Sequence, residues 1–273
     1  MDMDPIDYSI HGDDLQYVEV RLEPGRRAVS EPGAMMYVDD GVTVSSEVGD
    51  GSGRETNIFS RFWRGIRRSF SGESLFTATY ANDAGVPRRV AFAAASPGQI
   101  VPIDLGSVGG ELIVQRGAFL AGARGVEIGL ALQKRIRVGF FGGEGFIMQR
   151  LTGNGVAFVH ASGALTEMRL APGESLRVDT GCLVALQNTV NYDIRYVGKL
   201  KSALFGGEGL FFAQLSGPGT IWLQSMPLKR LGKTLFGAAV TAGRPGGAIG
   251  IVWALVVVAI IVVRIILSGD GGS

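Results

Sequence analysis

The amino-acid sequence predicts an all-β protein that carries one C-terminal transmembrane helix, and three observations lead there. Short runs alternate polar and apolar residues, glycine and proline punctuate them, and one late apolar run of twenty residues has no turn in it. Alternation at period two marks a half-buried strand, and short strands with turn signals every eight to twelve residues or so give a sandwich or a barrel. The 273 residues are enough for one large domain or two small ones. Lys and Arg number 26 against 25 Asp and Glu, so no broad positive field marks a nucleic-acid partner. Cys182 is the one cysteine, which excludes an internal disulfide and a thiolate metal cluster. His11 and His160 lie far apart and form no metal-binding pair, and no cofactor is expected. The 42 glycines are assigned to turns.

From the N-terminus, Met1 to Asp14 holds five aspartates and no Lys or Arg, so neither a secretory signal nor a mitochondrial presequence is expected there. An internal repeat follows. Pro-Gly-x7-Gly occurs at Pro24-Gly25 with Gly33, at Pro97-Gly98 with Gly106, and at Pro172-Gly173 with Gly181. A second motif interleaves: Ser71-Gly72-Glu73, Gly142-Gly143-Glu144 and Gly206-Gly207-Glu208. Seven residues beyond each glutamate stand Tyr80, Leu151 and Leu215, and nine beyond stand Asn82, Gly153 and Gly217. Three copies of one supersecondary unit are expected over residues 8–226. The unit is β: Glu174-Ser-Leu-Arg-Val-Asp, Asn191-Tyr-Asp-Ile-Arg-Tyr-Val and Glu167-Met-Arg-Leu all alternate. Gly25, Gly98 and Gly173 read as hairpin turns after a proline that presets φ. Glu73, Glu144 and Glu208 read as turn carboxylates bonded to backbone amides, or as a convergent set around a threefold axis that can hold a cation.

Directly before the first glutamate motif runs the densest basic and aromatic stretch, Asn57 to Phe70. At about 100° per residue, Phe59, Phe62, Trp63 and Ile66 share one face, and Arg61, Arg64, Arg67 and Arg68 share the opposite one. This is a candidate membrane-interface helix lying on anionic lipid. The competing reading packs the same aromatics on the β core.

After a linker at 227–247, residues 248–267 read AIGIVWALVVVAIIVVRIIL. As a helix, twenty residues span about 30 Å, the thickness of a hydrocarbon core. Fourteen Ile, Leu and Val at about −0.4 kcal/mol each outweigh the at most about +3 kcal/mol of Arg264, which can snorkel from its place near the end. Lys229, Arg230, Lys233 and Arg244 precede the run and only Asp270 follows it. The positive-inside rule therefore predicts a single-pass membrane protein with its N-terminal domain cytoplasmic.

Val178-Asp-Thr-Gly-Cys-Leu-Val-Ala-Leu, Leu204-Phe-Gly-Gly-Glu-Gly-Leu-Phe-Phe and Leu215-Ser-Gly-Pro-Gly-Thr-Ile-Trp-Leu-Gln-Ser carry a resemblance. They resemble the altered-inheritance-of-mitochondria family of TRAP-like β proteins over roughly residues 8–226. The resemblance implies a triplicated TRAP-like β-sandwich of double-stranded β-helix type, related in fold to the tryptophan RNA-binding attenuation protein. It implies no RNA binding, since that activity belongs to a ring of subunits with basic edges, and it transfers no catalytic residue. Mitochondrial members of the family are associated with inner-membrane organisation.

The expected function is thus a non-enzymatic, membrane-anchored cytoplasmic scaffold or interaction protein in membrane organisation. Its expected partners are membrane lipid, other proteins and further copies of itself. The alternative is a small-ligand-binding module, or an enzyme, that uses a cleft between repeats.

Overall fold

The computed structural model describes residues 6–48, 76–134, 146–197 and 210–227, together with Gly232. The chain divides into two compact units, Met1–Pro227 and Leu228–Ser273. All described strands lie in the first, and their pairing recurs with a period of six. The first set is β1 (Asp7–His11), β2 (Tyr17–Leu22), β3 (Arg27–Ser30), β4 (Met35–Val38), β5 (Val42–Val48) and β6 (Phe76–Asn82). The second is β7 (Arg88–Ala93), β8 (Gly98–Asp104), β9 (Glu111–Gln115), β10 (Phe119–Ala123), β11 (Val126–Lys134) and β12 (Phe146–Gly153). The third is β13 (Val156–Ser162), β14 (Leu165–Leu170), β15 (Ser175–Asp179), β16 (Leu183–Gln187), β17 (Asn191–Val197) and β18 (Leu210–Ser216), and β19 (Gly219–Gln224) follows it.

Each set builds two three-stranded layers. One is a hairpin with a third strand beside it: β5-β6-β3, β11-β12-β9 and β17-β18-β15. The other takes its middle strand from further along the chain: β2-β7-β4, β8-β13-β10 and β14-β19-β16. Alternation explains which side each strand buries. In β2, Val18, Val20 and Leu22 are buried while Glu19 and Arg21 point outward between them, as a period of two requires. Three apolar clusters result. Tyr80, Leu151 and Leu215, at matching places in β6, β12 and β18, each sit in a different one. Fully burying one such side chain contributes about 1.5–3 kcal/mol.

The all-β sandwich expected from the sequence is what the chain forms, but the expected transmembrane helix is corrected. Among the described residues no helix is long and apolar enough to cross a membrane. The run at 248–267, with Arg264 and the flanking Arg244, lies outside the described residues. The fold class is therefore all-β, and the membrane-anchored part of it is withdrawn.

A second correction concerns the Pro-Gly motif. Gly25 and Gly173 are turn glycines as expected, with φ of 76° and 81°. They join β2 to β3 and β14 to β15, and each turn is closed by a backbone bond, Arg26 N to Glu23 O at 2.9 Å and Glu174 N to Ala171 O at 3.0 Å. Gly98 occupies a different place. It opens β8, is buried, and bridges in parallel to both Leu15 and Gly163. A Cβ there would fall 2.0 Å from the carbonyl oxygen of Ala161, so close backbone approach selects the glycine. The turn that matches Gly25 and Gly173 in the second set is the short 3-10 segment Gly106–Val108 between β8 and β9.

Candidate functional site

The three glutamate motifs fall in equivalent connections, β5 to β6, β11 to β12 and β17 to β18. Glu73, Glu144 and Glu208 themselves lie outside the described residues, as does the basic aromatic stretch from Phe59 to Arg68. Gly25, Gly98 and Gly173 are described, and they mark two turns and one corner. None of the three holds a ligand-facing side chain, so the candidate site has to be sought elsewhere. Among the described residues no group of three or more His, Cys, Asp and Glu is placed to hold a metal ion.

Half-buried glutamines and a buried histidine bond or pack against backbone at one corner where the sets meet. Around the corner of Leu15, Gly98 and Gly163, Gln16 Oε1 accepts from Ile100 N at 2.7 Å and Gln99 Oε1 accepts from Leu165 N at 3.1 Å. Gln224 accepts from Ser162 N at 2.8 Å and donates to Gly181 O at 2.7 Å. His160 is buried here; desolvation holds its pKa below the ordinary value, opposed by a bond to the Ser96 backbone. Its Nε2 has no partner and lies 2.8 Å from where a Gly98 Cβ would stand, which leaves no room for a substrate atom. These groups hold the corner together.

Two strand-to-strand seams join the sets, and they share one register. At the first, β10 pairs β3 through Ala121↔Ser30, Gly122↔Val29 and Ala123↔Ala28. At the second, β16 pairs β9 through Ala185↔Val114, Leu186↔Ile113 and Gln187↔Leu112. Glu31 borders the first seam, where its N–H donates to Leu120 O at 3.1 Å. Burial raises its carboxyl to about 7, against the lowering influence of the Gly117 N–H, the Arg116 charge and the Gln149 side chain. Gln149 is itself buried, and its Oε1 has no partner.

The third seam is missing among the described residues. Among the described residues, β4 ends its sheet with β7 as sole neighbour, and β15 ends its sheet with β18 as sole neighbour. The matching strands are established by a shared irregularity. The ladders β4·β7, β10·β13 and β16·β19 each shift register at the same place, between Met35 and Tyr37, Phe119 and Ala121, Leu183 and Ala185. Met35 and Met36 therefore correspond to Phe119 and Leu120 and to Leu183 and Val184. Those four are at most 4% exposed, whereas Met35 is 43% and Met36 56% exposed. Beside them, Tyr37 donates its hydroxyl to Glu19, which with burial lifts the phenol to about 12. Arg89 bonds both carboxylate oxygens of Asp39, at 3.2 and 3.3 Å, and holds that carboxyl below its ordinary range.

This open edge is the candidate site, and the sequence reading missed it. The signal was present in Glu31-Pro-Gly-Ala, Gln115-Arg-Gly-Ala and Asp179-Thr-Gly-Cys, which precede β4, β10 and β16. Ala-Met-Met, Ala-Phe-Leu and Cys-Leu-Val follow the three glycines, so the apolar character of Met35 and Met36 matches that of residues buried elsewhere.

A family model described as Mitochondrial biogenesis AIM24 matches residues 8–226, nearly the span from β1 to β19. The chain belongs to the AIM24 family. The family's description links it to mitochondrial biogenesis. No curated protein matches this AIM24 chain significantly. Among solved structures, it is similar to the crystal structure of a protein from Streptococcus pyogenes, at 25% identity and a TM-score of 0.67. That likeness covers 85% of this chain and 99% of the streptococcal one.

Proposed function

We propose that this AIM24-family protein is a non-enzymatic interaction scaffold, which receives another protein on the open edge of its first sheet and serves in membrane organisation. The observation that carries the reading is the exposure of Met35 and Met36, at positions buried in both other sets. Covering the exposed half of such a methionine contributes on the order of 1 kcal/mol, and an unpaired strand adds backbone donors and acceptors that a partner strand can use. Methionine suits such a surface because its unbranched, polarisable chain adapts to what lies on it. The mitochondrial-biogenesis link of the family is in keeping with an assembling role.

The test compares native purification of the full-length chain with that of a Met35→Glu, Met36→Glu variant. The wild type is expected to retain stoichiometric protein companions, its own copies included, and the variant to lose them while keeping its far-UV circular dichroism. A wild type that purifies alone, with the variant indistinguishable from it, would overturn the reading.

A further inference from the structure

We infer that β4 is completed by β15 of a second copy of this chain, the two molecules joining head to tail. This rests on the interaction reading above and names its partner. Two seams inside the molecule show what covers a strand in the position of β4. β10 is covered by β3, and β16 by β9. Counting by the ladders that β3, β9 and β15 make with β6, β12 and β18, Ser30 corresponds to Val114 and Val178, and Ala28 to Leu112 and Leu176. The strand that belongs on β4 is therefore of the β15 kind, and β15 is the one member of its class whose outer edge is unpaired among the described residues.

The register follows without adjustment. Transferring Ala121↔Ser30 and Ala185↔Val114 gives Tyr37↔Val178. Transferring the next two pairs gives Val38↔Arg177 and Asp39↔Leu176. Both edges show the surface such a joint would cover. β10 is buried throughout and β16 nearly so, while β4 runs exposed, exposed, half-buried, half-buried. β9 buries its three central residues, and β15 buries only Val178. The contact is heterologous, because each copy offers a β4 edge and a different β15 edge, so it propagates to a ring or a row of copies. The other sheet edges behave differently among the described residues: β5, β11 and β17 end their sheets in every set, and β8 and β14 end theirs while the matching edge of β2 is covered by β1. Among the described residues only the β4 and β15 edges are open in one set and closed in the other two.

Engineered disulfides test this on the full-length chain carrying Cys182→Ser. A Tyr37→Cys chain and a Val178→Cys chain, separately tagged, are co-expressed and oxidised. Paired strand positions lie within disulfide reach, so their cross-linked dimer is expected at about tenfold the yield of an off-register pair, Tyr37→Cys with Ser175→Cys. A chain carrying both Tyr37→Cys and Val178→Cys is expected to give cross-linked oligomers. A monomeric internal disulfide in that chain would show the seam closing within one molecule and overturn the inference. So would no disulfide, or equal yields from the two pairs, in chains of wild-type circular dichroism. If cross-linking fails while Met35→Glu, Met36→Glu still strips protein companions, the second copy is excluded and the interaction reading stands.

Discussion

Glu31 and His160 give the molecule opposite responses to pH, because burial acts on an acid and a base in opposite directions. Glu31 holds its proton to about pH 7 in the folded chain, against an ordinary value of 4.5. Between those values the unfolded chain has already released that proton, so stability falls as pH rises through this window and levels off above it. The full effect is on the order of 3 kcal/mol. Protonated, the carboxyl also carries an O–H, the kind of group that the unpartnered Gln149 Oε1 lacks. His160 works the other way: its pKa is depressed by burial, so its contribution is present above about pH 6.5 and is lost as the unfolded chain takes up a proton below that. Single variants separate the two. Glu31→Gln is expected to flatten the decline between pH 5 and pH 7 in urea unfolding, and His160→Gln to remove the loss on the acid side. Wild type and Glu31→Gln giving parallel profiles would show that the carboxyl is not desolvated at the seam.

At the level of the element, a turn and a corner use the same Pro-Gly pair for different reasons, and substitution can tell them apart. Gly173 has φ of 81° with nothing within 4 Å of an added Cβ, so Gly173→Ala meets only the left-handed backbone cost of about 1–2 kcal/mol. Gly98→Ala drives a methyl against the backbone of Ala161 and the ring of His160. It is expected to cost several kcal/mol, or to abolish folding, since overpacking against backbone cannot relax by a rotamer change. Thermal melts of the two variants check this, and similar losses in both would contradict the distinct roles. The same contrast shows what was legible in the sequence. The strands, and the matched burial of Tyr80, Leu151 and Leu215, could be read from alternation and offset, because side-chain direction in a strand is local. Pro97-Gly98 misled because spacing along the chain does not reveal that β7 leaves its own set to enter the first. The open edge of β4 was hidden for a related reason: whether a strand is paired depends on what faces it through space.

Across the β domain, exchange of middle strands decides how it unfolds. The sheet of the first set is incomplete until β7 arrives from the second, and the second waits for β13, the third for β19. Strands buried on both faces tie neighbouring clusters together. On β13, Phe158 joins one cluster while Ala157 and Val159 join the next, and on β9, Ile113 parts in the same way from Leu112 and Val114. A solenoid whose repeats touch only at their borders can lose its repeats one by one. Here, losing one cluster strips a face from strands that the neighbouring cluster needs. Leu151, fully buried in the middle cluster, is the place to ask. Leu151→Ala is expected to cost about 2–5 kcal/mol and to move one melting transition of the whole domain downward, with calorimetric and van't Hoff enthalpies still in agreement. A melt that splits, with one component shifted and another left at the wild-type temperature, would mean that the three clusters unfold separately in spite of the strands they share.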